Sequence, residues 1–177
     1  MNIQKSPFPT NSLLSQTKYD YFDSYLSEFS DPDKKTDILS VAKAFMSSSP
    51  QWLEKLFSLR NKIVGVFGLK TAPPVQNRTT VIQNFNGQPG EKLGFFKVYQ
   101  CIDNEIILGE DDTHLDFRVS LQLEPQQSHH QKLQITTTVI YHNFWGKLYF
   151  FPVKPFHRLI VPVMLKGIIK EIQSHNT

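Results

Sequence analysis

Few side chains in this chain stand at spacings that chemistry uses. His114 and Asp116 lie two apart in an alternating segment and therefore share a face, as two metal ligands would. That face is the polar one, so the pair reads as a solvated edge or a cross-strand ion pair rather than a metal site. Arg118 reads in the same way, as a partner across strands and not as a substrate contact. His142 ends a strand-like stretch and His157 sits in a helix-like one. The two could meet at the mouth of an enclosed space and supply a general base. Such a base needs an orienting carboxylate, and spacing places none beside either. Tyr99, Thr137 and Tyr141 could turn hydroxyls into the same space, or be ordinary strand residues.

The motifs that would name a reaction are missing. There is no glycine-rich phosphate loop, no His-Glu-x-x-His, no paired-cysteine motif and no serine nucleophile elbow. The single cysteine, Cys101, excludes an internal disulfide and reads as a buried, inert thiol in a strand. No residue is assigned as catalytic, and no metal or cofactor is assigned.

The elements that would position these residues are clearer. Residues 1–17, with Pro7 and Pro9, read as a loose arm ahead of a single domain over 18–177. Tyr19 to Leu26 is an aromatic first strand, and Ser30-Asp31-Pro32-Asp33 a turn. A helix follows over 36–46 with Thr36 as its N-cap. A second runs from Pro50 to Gly68, with Trp52, Leu53, Leu56, Leu59 and Ile63 on its apolar side. Residues 70–93 read as one long irregular connection, a binding edge or a plain loop. Four strands come next without an intervening helix, which makes a meander the economical topology. Phe95 to Ile102 and Glu105 to Gly109 flank the two-residue turn Asp103-Asn104. His114 to Leu123 alternates, with Leu115, Phe117, Val119, Leu121 and Leu123 on one face. Lys132 to His142 turns Leu133, Ile135, Thr137, Val139 and Tyr141 inward.

The chain then hands over to its last and longest helix. Pro152 and Pro155 should break any helix begun at Phe144, leaving Pro155 to open the closing one. Its inward stripe reads as Phe156, Leu159, Ile160, Val163, Met164, Gly167 and Ile168. Lys154, Arg158, Lys166 and Lys170 fall on the outer side, and Pro162 should kink the helix. On that phase, Val163→Asp should unfold the protein.

With 177 residues, 40% of them hydrophobic and 20% charged, the chain is in the ordinary range for one globular domain. Its 14 Phe suggest a core or a cavity wall of large planar side chains. Acids dominate from Asp20 to Asp37 and bases from Lys147 onward. Either the two ends lie together and complement each other, or the later stretch is a basic face for an anionic partner. No Lys/Arg cluster has the density of a nucleic-acid patch, so no nucleic acid is expected. The first residues lack a signal-peptide core, and the window Leu159 to Leu165 is too short to span a bilayer. A soluble, cytoplasmic protein without an integral membrane segment is the expectation.

The order of strand, short helices, meander and long helix resembles the helix-grip fold of the START-like (SRPBCC) superfamily, an α+β class with an antiparallel sheet wrapped around a long C-terminal helix. Two stretches are similar to an uncharacterised bacterial family of that superfamily known only as a domain of unknown function. They are Pro89-Gly90-Glu91-Lys92-Leu93-Gly94-Phe95-Phe96 on to Asp116-Phe117-Arg118, and His142-Asn143 through Pro155-Phe156-His157-Arg158-Leu159-Ile160-Val161-Pro162. The resemblance implies a largely apolar cavity between sheet and helix, used in the superfamily for lipids, polyketides, hormones or quinones. Phe96, Val98, Leu115, Phe117 and Val119 would line it from the strands, with Thr137, Val139 and Tyr141. Phe156, Leu159 and Val163 would line it from the helix. A small apolar molecule of the lipid, polyketide or quinone class is the expected partner. The alternatives are a cyclase- or hydratase-type enzyme using a cavity His or Tyr, and a non-catalytic module that docks a protein through its outer helix face. The last would show a filled core and an exposed apolar patch.

Overall fold

Inward and outward side chains alternate along five of the strands, and that alternation builds the one sheet. The computed structural model describes residues 1–48, 78–127 and 129–175. The helix read from Pro50 to Gly68 and the first part of the 70–93 connection lie outside them. The strands are β1 (Gln4–Lys5), β2 (Tyr21–Ser30), β3 (Lys92–Leu93), β4 (Phe96–Ile102), β5 (Glu105–Asp111), β6 (Leu115–Pro125) and β7 (His130–Tyr141). They form an antiparallel sheet in the order β1-β2-β7-β6-β5-β4-β3. The meander is therefore as read, with the early strand β2 added on the free side of β7. Asp103-Asn104 makes the β4–β5 hairpin, and the register slips near Tyr99, between Val98 and Gln100.

Three α-helices are described, α1 (Ile38–Ser47), α2 (Arg78–Asn84) and α3 (Phe144–His175), besides a short 3-10 turn over Leu13–Gln16. The fold is α+β, with a long C-terminal helix on an antiparallel sheet. Two expectations on the shorter helices change. Asp37, not Thr36, caps α1. Its carboxylate accepts from Ser40 N over 2.7 Å, and Ser40 Oγ accepts from Asp37 N. In the preceding turn Asp31 accepts from the amides of Lys35 and Thr36. The connection 70–93 is also less irregular than read, since it contains α2 and β3.

The closing helix departs most from expectation. It runs unbroken through Pro152, Pro155 and Pro162. Pro152 and Pro155 are exposed, as are Leu148 and Phe151, whose carbonyls lose their amide partners, so these breaks in the ladder lie on a side of the helix that water reaches. The helix begins at Phe144, directly after β7, and not at Pro155 as read. Asn143 Oδ1 accepts from Gly146 N over 3.1 Å, and Asn143 O accepts from Lys147 N. At Gly146 the helix passes so near β6 that a Cβ would sit 2.1 Å from the His114 carbonyl oxygen.

The inward phase of α3 is also shifted. Phe156, Leu159 and Val163 point outward, at 54%, 68% and 47% exposure. Met164 and Ile168 do turn toward the sheet and α1 as read, with Ile160 partly buried beside them, and His157, Val161, Leu165 and Ile169 take the inward places instead of the three exposed residues. From Phe156 to Ile169 both sides of the helix are apolar, so three- and four-residue steps can be laid down in two phases.

The core sits where α1 and the second half of α3 cover the inner face of the sheet. Val41, Phe45, Leu165 and Ile168 pack there against Leu108, Leu121 and Ile135. Each such buried aliphatic side chain contributes about 1.5–3 kcal/mol relative to exposure. A smaller cluster of Tyr21, Leu115, Val139 and Phe150 lies under the first half of α3. Phe117 packs against both clusters.

The arm over residues 1–17 is not loose here. It lies on the outer face of the sheet, with Ser6, Pro9, Ser12 and Leu14 buried. Glu105, almost wholly buried, accepts from Ser12 Oγ (2.5 Å), Leu13 N (2.8 Å) and Ser120 Oγ (2.5 Å). Gln134 reaches Ser6 and Ser24 from the neighbouring strand. Polar outer-face positions thus form hydrogen bonds that no local pattern reveals.

Candidate functional site

Between the two apolar clusters lies a polar group that spacing did not suggest. Asp23 is an inward residue of β2, set between Tyr21 and Tyr25, and is 2% exposed. Register places Thr137 of β7 beside it and Val119 of β6 beyond. These three residues form a row across the inner face.

Asp23 Oδ2 accepts from the Tyr21 hydroxyl over 2.8 Å and from His157 Nδ1, on the helix above, over 2.8 Å. A carboxylate only accepts, so the shared proton sits on Nδ1 and a neutral ring keeps its Nε2 lone pair free to act. Asp23 Oδ1 makes no hydrogen bond to any described residue. A buried, unpaired carboxylate oxygen costs about 1–3 kcal/mol, more where the group is charged. Lys154 Nζ stands 4.9 Å from the Tyr21 ring centroid, and the Phe150 ring packs tilted against the same ring, centroids 4.9 Å apart. Burial, then the Asp23 hydrogen bond and charge, push the Tyr21 hydroxyl far above the usual tyrosine range, against a smaller opposing pull from Arg158. Tyr21 is therefore a fixed hydrogen-bond donor. The acidic early strand and the basic late helix do meet here, through His157, Arg158 and Lys154.

The two histidines do not share a site. His157 faces inward to Asp23. His142 turns to the opposite face of the sheet, where Nε2 lies 3.0 Å from Asp116 Oδ1. Each has the carboxylate that spacing could not locate. His114 Nδ1 meets Asn143 Nδ2 at 3.0 Å and Asp116 accepts from Asp112 N, so those two do not form a ligand pair. Among the described residues, no three His, Cys, Asp or Glu converge as metal ligands. Arg118 pairs with Asp111 rather than Asp116 and lies 3.6 Å over the Tyr99 ring. Tyr99 belongs to that outer-face network and does not point inward. Its hydroxyl is also pushed up, by burial first and then by Asp111.

Of the eleven residues expected to line a cavity, the eight on strands fall on or beside the inner face. Val98, Leu115, Val119, Thr137 and Val139 are buried there. Phe96, Phe117 and Tyr141 are only half-buried, with Phe96 edge-on to Phe117 at 5.9 Å and Tyr141 5.8 Å from Phe150. The three helix residues, Phe156, Leu159 and Val163, are on the wrong side. Two open surface recesses, one at Thr17, Tyr19 and Ile140 and one at Met1, Phe29 and Ile169, involve none of the eleven. The missed residues carried one readable signal. In Tyr21-x-Asp23-x-Tyr25 an acid occupies an inward position of a strand, between aromatic neighbours.

A single antiparallel sheet closed by one C-terminal helix, with the buried carboxylate of Asp23 clamped between them, defines an α+β protein. Residues 15–164 match the family described as "Protein of unknown function (DUF2867)", and the chain belongs to that family. Asp23 and His157 both fall within the matched span. No curated protein matches the chain.

Proposed function

We propose that this protein holds a small, largely apolar molecule on the inner face of its sheet, beneath the first half of α3. The reading takes the fold as a helix-grip of the START-like superfamily, in which sheet and closing helix enclose a ligand. A lipid, polyketide or quinone is the class of molecule it fits. The half-buried rings of Phe96, Phe117 and Tyr141 supply apolar contact area. The observation that carries the reading is the unpaired Oδ1 of buried Asp23. A ligand hydroxyl or N–H placed there would complete the carboxylate's hydrogen bonding, while His157 and Tyr21 hold it in place.

Mass spectrometry of the native, purified chain tests this, together with thermal shifts against a panel of long-chain alcohols, phenols and quinols. A co-purifying molecule, or a stabilising hit weakened by Asp23→Asn, supports the reading. An empty protein that no panel member stabilises removes it.

One observation favours a second reading. An Asp-oriented His157, with Nε2 left to take a proton, is the arrangement of a general base, and Asp23 would stabilise the imidazolium formed. Cyclase- or hydratase-type chemistry on the bound molecule would follow. Conversion of that molecule by the native chain, lost in His157→Gln while binding persists, distinguishes an enzyme from a carrier.

A further inference from the structure

The outward side of α3 carries an apolar stripe that belongs to neither apolar cluster of the described residues. Phe144 and Phe151 are 70% and 77% exposed, and Leu148, Phe156, Leu159 and Val163 are exposed with them. At 1.5 Å per residue, the stripe from Phe144 to Val163 runs about 28 Å. A protein that stays free in water rarely presents so long an apolar face, and such faces mark docking sites.

We propose that this face rests on the surface of an anionic lipid bilayer. Charge is the first argument. No acid occurs between Phe144 and Lys170, whereas Lys147, Lys166 and Lys170 are exposed on the same helix. An apolar face edged by bases is what an interfacial helix presents to anionic headgroups. A second copy is the poorer occupant. A two-fold contact sets the same face against itself and brings base to base with no acid to meet.

The prolines supply the second argument. Pro152, Pro155 and Pro162 deprive the carbonyls of Leu148, Phe151 and Arg158 of their usual amide partners. All three of those residues are exposed. A dry protein interface would bury such carbonyls unpaired at a cost, whereas the headgroup layer keeps them hydrated. No described helix is long and apolar enough to cross a membrane, so α3 lies on the surface and does not span it.

Co-sedimentation of the full chain with vesicles decides the matter. Mixed phosphatidylglycerol–phosphatidylcholine vesicles should carry the protein down at low salt, and pure phosphatidylcholine vesicles roughly tenfold less. Phe151→Asp with Leu159→Asp should weaken binding at least tenfold. Lys166→Glu with Lys170→Glu should do so by roughly tenfold on the anionic vesicles. These sites are exposed, and circular dichroism checks that each variant is folded. Asp23→Asn, on the sheet-facing side of α3 and not on the stripe, should bind vesicles normally, which separates this result from ligand binding. The proposal is overturned if native protein stays in the supernatant with anionic vesicles. Undiminished binding by the Phe151/Leu159 variant also overturns it. So does a stable dimer that this variant dissociates, which would assign the face to a second copy.

Discussion

His157 of α3 donates to Asp23 of β2 over 2.8 Å, across 134 residues of chain. The bond pins the first half of the closing helix to the sheet at the boundary between two apolar clusters. Burial of Asp23 makes the contact consequential, because neither oxygen can turn to water instead.

Asp23→Ala should destabilise the fold by about 2 kcal/mol, since it leaves the Tyr21 hydroxyl and His157 Nδ1 without their acceptor. In a double-mutant cycle with His157→Ala, urea unfolding should show a coupling of about 1 kcal/mol or more. Additive effects would mean the pair is a geometric coincidence.

Glu105→Ala should free the N-terminal arm. It removes the acceptor of Ser12, Leu13 and Ser120 at once, and a loss of about 3 kcal/mol is expected. Limited proteolysis should then cut within residues 1–17 at a rate well above that of the native protein.

The phase of α3 can be tested directly. Val163→Asp, at an exposed position, should change stability by less than about 1 kcal/mol. Leu165→Asp, at a fully buried one, should prevent folding. Thermal melts of the two variants compare the two phases, and the reverse order would restore the stripe read from spacing.

Gly146→Ala should cost about 1–3 kcal/mol by forcing α3 away from the His114 carbonyl. A melting temperature equal to that of the native protein would mean the helix start moves freely.

Alkali should unfold the protein through its tyrosines. Burial raises Tyr21, Tyr25, Tyr99 and Tyr141 above their ordinary value, with Asp23, Asp111 and Asp20 adding to the effect. Above about pH 10 the unfolded chain releases phenolic protons that the folded chain keeps. The folded state then binds more protons, so stability is fully present below that pH and falls as pH rises further. Denaturant midpoints measured upward from pH 9 should decline, and Tyr21→Phe should lessen the decline.

What the residues alone determined is what depends on local period. Alternation from Leu115 to Leu123 and from Leu133 to Tyr141 set the inward face of the sheet, because a strand reverses side at every residue whatever lies above it. The Asp103-Asn104 turn and the antiparallel meander were legible for the same reason, as was the helix that follows β7. The phase of α3 was not, since apolar residues surround it and only contact with α1 and the sheet selects Leu165 over Val163. Nor was the survival of that helix through its prolines, which rests on which side meets water. The His157–Asp23 bond lay furthest out of reach. It joins residues from opposite ends of the chain, and only the closing of α3 over the β2–β7 pair brings their side chains within hydrogen-bond distance.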